Sequence, residues 1–268
     1  MFELTPITGR FGAEVRGLDL AEELTEEALQ KIKEAFLSHK VLVFRDQHNL
    51  TPERHARLGR YFGDLEVHPF QDHVDGIPEV TVLRTDLNPT ESERNEAIFH
   101  SDTSWRATPS LGSILRAIDV PPFGRDTTFT DTEAIFDDMS PPLQRLCTEL
   151  TAMHDVQKQS GFRGKGGSDD FPPVEHPVVR THPETGRRSL FVNPSFTTRL
   201  VGLRSDESDP ILQALFARLF QPQYQLRCRW HPGTVAMWDN RCTQHAVVFD
   251  RAYPRTMQRV TIVGDRPF

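Results

Sequence analysis

Three side chains suited to binding a divalent metal stand far apart in this sequence. His100 and Asp102 belong to Phe99-His100-Ser101-Asp102, and His245 closes Trp238-Asp239-Asn240-Arg241-Cys242-Thr243-Gln244-His245. Two imidazoles and one carboxylate on one side of a metal leave the other side open, the donor set with which non-haem Fe(II) oxygenases hold their ion. Downstream, Arg255-Thr256-Met257-Gln258-Arg259-Val260-Thr261-Ile262-Val263 reads as a strand. An extended chain puts Arg255, Met257, Arg259 and Thr261 on one face. Two guanidiniums on such a face need solvent or anions. A solvated edge strand supplies the first and a carboxylate-binding pocket the second, and periodicity does not choose between them.

The metal reading has rivals within the chain. His73-Val74-Asp75 repeats the His-x-Asp spacing but runs into Gly76-Ile77-Pro78, which reads as a turn. His182-Pro183-Glu184 is the glutamate version and falls in the hairpin loop His182-Pro183-Glu184-Thr185-Gly186, where a mobile surface histidine is expected. His100 differs, because Ile98 and Phe99 precede it and Trp105 follows. In an extended segment His100 and Asp102 point the same way. A capped strand end is the alternative for that pair, and a hydrogen-bonded structural histidine is the alternative for His245. The chain lacks the His-Glu-x-x-His motif of a hydrolytic zinc enzyme, and Arg163-Gly164-Lys165-Gly166-Gly167-Ser168 does not match a phosphate loop.

The elements that must position these residues are mainly strands. Short apolar or alternating runs at Val41–Phe44, Val80–Leu83, Ser113–Ala117, Val178–Thr181, Leu190–Asn193, Tyr224–Arg229, Val235–Trp238 and Met257–Val263 are bounded mostly by Pro, Gly, Asn or Asp. Helices are expected after Thr25, from Thr51-Pro52 to Gly63, from Ser140-Pro141 and from Asp209-Pro210. This order favours a β-sandwich or jelly roll with appended helices over a parallel α/β sheet. Polar, strand-poor stretches at 85–98 and 158–173 read as surface loops or lids over a site. At 268 residues, with 37% hydrophobic and 26% charged residues, the chain can bury one substantial core. A net charge of −7 argues against a nucleic-acid surface but leaves small anions open, since local arginines set the field in a cleft. No apolar run approaches a membrane span, and three cysteines (Cys147, Cys228 and Cys242) without CxxC spacing suggest a reducing cytoplasm.

The ordered motifs resemble a known family nearly end to end. They run from Gly12-Ala13-Glu14-Val15-Arg16-Gly17-Leu18-Asp19-Leu20 and Val43-Phe44-Arg45-Asp46-Gln47 through His100-Ser101-Asp102 and Gly124-Arg125-Asp126-Thr127. They continue in His176-Pro177-Val178-Val179-Arg180-Thr181-His182-Pro183 and Phe191-Val192-Asn193, and end in Trp238–His245 and Arg255-x-x-x-Arg259. Together they are similar to the taurine dioxygenase and 2,4-dichlorophenoxyacetate dioxygenase group of Fe(II)- and 2-oxoglutarate-dependent oxygenases. The resemblance implies one dioxygenase domain over 1–268 with a double-stranded β-helix core, a distorted jelly roll. It implies iron on His100, Asp102 and His245, and 2-oxoglutarate on Thr127 and Arg255. A small organic anion would be held by His68 and Arg259, with Phe196, Gln71 and Asn95 around it.

The implied reaction consumes 2-oxoglutarate and O2, releases succinate and CO2, and hydroxylates the substrate. Taurine or a related alkylsulfonate is the expected substrate, with an aldehyde and sulfite as products. An alkyl sulfate or an aryloxyalkanoate is the alternative, and a non-catalytic dicarboxylate-binding β-sandwich is another. Departures from the taurine pattern fall around the substrate: Gln71 stands where taurine enzymes carry Tyr, Phe99 replaces Trp, and Arg94-Asn95-Glu96 aligns loosely. The resemblance also implies a homo-oligomer, dimer or tetramer, with neither nucleic acid nor membrane as partner.

Overall fold

The computed structural model describes residues 2–86, 97–159, 170–250 and 253–268. The segments 87–96 and 160–169 take up most of the two polar stretches expected to be loops, and Asn95 also lies outside the described residues.

In chain order the strands are β1 (Glu3–Pro6), β2 (Ala13–Arg16), β3 (Val41–Phe44), β4 (His73–Val74), β5 (Ile77–Thr85), β6 (Ser110–Asp119), β7 (Thr127–Asp131) and β8 (Thr151–His154). The later strands are β9 (Val174–Pro177), β10 (Val179–Thr181), β11 (Arg188–Leu190), β12 (Thr197–Leu200), β13 (Gln225–Cys228), β14 (Val235–Asp239), β15 (Thr243–Val247) and β16 (Arg255–Val263). A major sheet runs β1-β2-β3-β14-β6-β16-β5-β4, and a minor sheet runs β13-β7-β15. All pairings are antiparallel except β2 with β3. The two sheets face each other as a jelly roll.

What holds them together is an apolar layer between them. Phe129, Leu226, Cys228 and Trp230 come from the minor-sheet side, and Val41, Val43, Leu115, Ala117, Ala236, Trp238 and Met257 from the major sheet. Each large side chain fully buried here stabilises the fold by roughly 1.5–3 kcal/mol. The outer face of the major sheet is covered by helix Glu26–His39, whose Ile32, Ala35 and Phe36 are buried with Leu42, Phe44, Val235 and Met237. A third cluster joins helices Thr132–Asp137 and Ser205–Leu219 to β8, β10, β11 and β12.

Helices start where Thr25 and Thr51 accept from backbone N–H groups, as their positions in the sequence suggest. The second helix ends at Arg60, short of Gly63. The last begins at Ser205 rather than at Asp209-Pro210, and Pro210 lies inside it. The earlier start is secured by a capping contact and by a bond to the preceding strand β12. Glu207 accepts from the Arg204 N–H at 3.0 Å, and the buried Ser208 hydroxyl accepts from the Leu200 N–H at 2.9 Å. The strand expected over Leu190–Asn193 stops at Leu190, because Asn193 turns inward and its Oδ1 accepts from Phe196 N–H.

Candidate active site

The two candidate histidines meet through the backbone. β15 is an edge of the minor sheet, and His100 adds to that open edge by an isolated antiparallel bridge. His100 N–H donates to the His245 carbonyl at 3.0 Å and His245 N–H donates back at 2.9 Å. Residues opposed in this way project side chains to the same face, and the ring centroids lie 4.3 Å apart. The chain turns just after Asp102, at Thr103, whose φ is +52°. Asp102 Oδ1 lies 3.8 Å from His100 Nε2 and 3.9 Å from His245 Nε2.

The donor set fits a divalent cation. His100 Nδ1 donates to the Ile98 carbonyl at 2.8 Å, which in the neutral ring leaves a lone pair on Nε2. Burial above all, with His100 and Arg259 adding to it, pushes His245 down to about 3, so its imidazole is neutral. Burial alone would raise the Asp102 carboxyl, but Arg259, the two histidines and the Ser113 hydroxyl together outweigh it and hold the group well below the usual carboxylate range. The lone pair on His100 Nε2 and the Nε2 atom of His245 thus both face one carboxylate oxygen, at distances too long for a hydrogen bond. Acceptors opposed across this distance are satisfied by a cation between them.

The arginines stand on an interior strand. β16 lies between β5 and β6, so the edge-strand alternative is excluded, and Arg255, Met257, Arg259 and Thr261 are all buried on one face. They open into a cavity of about 80 Å³ lined by residues that include His68, Gln71, Thr127, Phe196, Arg255 and Arg259 together with His100, Asp102 and His245. Arg255 Nη1 donates to the Arg125 carbonyl at 3.3 Å. Arg259 divides its guanidinium between Asp102 Oδ1 at 3.2 Å and Gln71 Oε1 at 2.8 Å. His68 Nδ1 accepts from Phe70 N–H at 3.2 Å, so the proton of the neutral ring is on Nε2. Burial, followed by Arg259 and Arg106, pushes this histidine down to about 3. It is therefore a neutral hydrogen-bond donor near an arginine, which suits an anion.

A sequence profile described as the taurine catabolism dioxygenase TauD, TfdA family matches residues 3–261. The chain belongs to the TauD/TfdA family. It is thereby a 2-oxoglutarate-dependent dioxygenase. It is 33% identical over 281 aligned residues to an alkylsulfatase of Acinetobacter baylyi, spanning 98% of this chain and 85% of that protein. It is 32% identical to an alpha-ketoglutarate-dependent sulfate ester dioxygenase of Pseudomonas putida, spanning 99% and 90%. The crystal structure of a taurine dioxygenase from Burkholderia xenovorans superposes with a TM-score of 0.86 at 34% identity, over 99% of this chain and 90% of that one.

Of the residues expected at a TauD/TfdA site from the sequence, nine line this one cavity, and Asn95 lies outside the described residues. Phe196 meets the His100 ring edge-on, with centroids 6.3 Å apart. Behind it, Trp105 packs with Phe70 and Phe171, and Arg106 lies over Trp105 and Phe171. The rival at His73 takes no part in the metal cluster.

His182 is a correction. It is 1% exposed rather than a mobile surface residue, and it donates from Nε2 to Asp239 Oδ2 at 3.1 Å. Its Nδ1 accepts two N–H groups of its own turn, from Glu184 and Thr185, so the hairpin folds the ring inward. Several residues escaped notice in the sequence. Trp230 donates its indole N–H to Thr127 Oγ1 at 3.0 Å, which leaves the Thr127 proton as a donor. Ser113 donates to Asp102 Oδ2 at 2.7 Å, and Asn240 meets the Asp102 N–H at 3.3 Å. A serine in mid-strand carries no local signal, and Asn240 lay within a quoted motif without a role.

Proposed function

We propose that this chain binds Fe(II) through His100, Asp102 and His245 and 2-oxoglutarate through Thr127 and Arg255. It then hydroxylates the carbon next to the charged group of a small organic sulfonate or sulfate ester. The observation that carries this reading is the convergence of the Nε2 atoms of His100 and His245 on Asp102 Oδ1 beside two buried arginines.

Bound iron would supply the activation of O2, coupled to decarboxylation of 2-oxoglutarate to succinate. The residues of the chain bind and orient. Arg255 can grip a distal carboxylate through two parallel N–H···O bonds, and the Thr127 hydroxyl adds a third donor because Trp230 occupies its acceptor side. Arg259 and the Nε2–H of His68 hold the substrate anion. Gln71 accepts from one end of the Arg259 guanidinium and fixes its plane. Phe196 and Trp105 exclude water and hold the carbon to be attacked close to the metal. Hydroxylation next to a sulfonate yields an adduct that collapses to aldehyde and sulfite; next to a sulfate ester oxygen it yields aldehyde and sulfate.

The choice of an apolar tail over the amine of taurine is supported by the lining. Among the described lining residues Asp102 is the sole carboxylate, and the wall opposite the arginines is aromatic. An ammonium therefore finds no counter-charge there beyond the metal ligand. The test is succinate formation by the Fe(II)-loaded protein with taurine, longer alkylsulfonates, alkyl sulfates and phenoxyacetates, with sulfite and sulfate assayed alongside. Turnover is expected with alkylsulfonates or alkyl sulfates and to be weaker with taurine. Turnover with phenoxyacetates alone would move the substrate to the aryloxyalkanoates, and a strong preference for taurine would overturn the apolar-tail assignment.

A further inference from the structure

We infer that Ser113 and Asn240 are positioning residues that hold Asp102 to the metal by one oxygen only. This rests on the reading of Asp102 as a metal ligand. The two oxygens of this buried carboxylate live in different surroundings. Oδ1 faces both imidazoles and Arg259, whereas Oδ2 accepts the Ser113 hydroxyl at 2.7 Å.

The direction of every hydrogen bond in this group follows from one donor that cannot reverse. The Trp238 indole N–H can only donate, and its partner at 2.9 Å is Asn240 Oδ1. That orientation sends Asn240 Nδ2 to the serines, donating to Ser110 Oγ at 2.8 Å and to Ser113 Oγ at 3.3 Å. Ser113, having accepted from Asn240, gives its own proton to Asp102 Oδ2. The chain of donation runs from Asn240 through Ser113 to Asp102. Asn240 Oδ1 also accepts from the Asp102 backbone N–H, while its carbonyl accepts from Ser101 Oγ at 2.7 Å. One amide thus fixes both the backbone and the side chain of Asp102.

The frame behind it is rigid. Ser113 is 0% exposed in mid-β6, facing Trp238 of β14 on one side and Thr261 of β16 on the other. A Cβ at neighbouring Gly112 would lie 2.6 Å from the Trp238 carbonyl oxygen, so only glycine permits this approach of β6 to β14. Asn240 sits in a turn braced by Arg241, which donates to Asp239 from its backbone and from its guanidinium.

The consequence concerns open positions. Two imidazoles and one carboxylate oxygen would hold a metal from one side and leave its other side to the cosubstrates. A carboxylate free to bind through both oxygens would take a position that the cosubstrates require. The Ser113 hydroxyl disfavours this by taking a lone pair of Oδ2 and fixing the plane of the carboxylate.

The test uses metal binding and a spectrum rather than turnover. Metal-free protein is titrated with Co(II), its visible absorption is recorded, and 2-oxoglutarate is then added. Ser113→Ala is expected to weaken Co(II) binding by about 10-fold or more, in the range found for outer partners of metal ligands, and to change the Co(II) spectrum. Ser113→Cys, similar in shape with a weaker donor, is expected to fall between. Ser189→Ala is the control, since it removes a buried hydroxyl that donates to the Arg241 carbonyl in the same turn without touching Asp102. It should leave affinity and spectrum unchanged. Equal effects of Ser113→Ala and Ser189→Ala, or wild-type behaviour of Ser113→Ala, would overturn the inference. Asp102→Asn binding Co(II) as tightly as wild type would instead remove the ligand reading beneath it, whatever Ser113 does.

Discussion

Two clusters in this molecule hold similar side chains at similar spacing, yet they are built for opposite ends. His100, Asp102 and His245 form one, and His182, Asp239 and Cys242 the other; in each the possible ligand atoms lie within 4.8 Å of one another. In the second every acceptor already has a donor. Asp239 Oδ1 accepts from Arg241 N and Nε at 2.9 and 2.8 Å, and Oδ2 accepts from Arg241 Nη2 at 2.7 Å and from His182 at 3.1 Å. Burial pushes the Cys242 thiol well above its ordinary value, so it remains protonated. In the first cluster each Asp102 oxygen accepts a single donor, Oδ1 from Arg259 and Oδ2 from Ser113, while the Nε2 atoms of both histidines face Oδ1 at 3.8 and 3.9 Å without bonding to it. Closeness of histidine and aspartate does not make a metal site. The direction of the hydrogen bonds decides whether a cation has anything left to bind.

The comparison breaks most sharply under metal titration. His245→Ala is expected to lower divalent-metal affinity by roughly 100-fold or more, beyond the usual effect of losing an outer partner. It should also abolish the rise in melting temperature that Mn(II) gives the wild type. Cys242→Ala should keep both. Metal loss in the Cys242 variant would mean that the saturated cluster is the true site.

Breaking the saturated cluster should cost stability instead. Arg241→Ala leaves Asp239 buried at 1% exposure without its guanidinium, a loss of about 3–5 kcal/mol in urea unfolding. A cost below about 1 kcal/mol would show that the clamp is not what holds this turn.

The arginines of β16 sharpen the contrast on the open side. Arg255→Ala should weaken 2-oxoglutarate binding, and Arg259→Ala the organosulfur anion, each by about 2–5 kcal/mol in calorimetry. Equal effects of both changes on both ligands would dissolve this division. The smallest effect is expected from Trp230→Phe. Losing the bond that orients the Thr127 hydroxyl should cost ~1 kcal/mol, about fivefold in the Kd of 2-oxoglutarate, with metal affinity unchanged. An unchanged Kd would mean that Thr127 does not need this partner.

Strands that are continuous apolar runs were readable along the chain; β3 coincides with the buried run Val41–Phe44, and β14 extends its run only to Asp239. β15 was not readable, because all five of its residues are buried and Thr-Gln-His-Ala-Val shows neither alternation nor an apolar run. β7, Thr-Thr-Phe-Thr-Asp, hid for a related reason: its threonines are polar by type yet lie in the minor sheet with the chain largely buried. Pro210 misled because a proline usually marks a helix start, while the capping contact of Glu207 with Arg204 and the bond from Leu200 to Ser208 start the helix before it. His182 misled because turn chemistry speaks for exposure, and only the distant Asp239 explains its burial.

The sequence by itself determined the residue types that could do chemistry. It also determined the shared face of Arg255 and Arg259, since strand periodicity is local and survives without knowledge of neighbours. Motif order carried the family. The tertiary structure decided which histidines meet, that β16 is interior rather than an edge, and which of two His-Asp clusters keeps its lone pairs free. Those outcomes depend on donors supplied from residues remote in the chain, such as Ser113 to Asp102 and His182 to Asp239. A hydrogen bond has a direction, and its partner across the fold is invisible until the sheets are assembled.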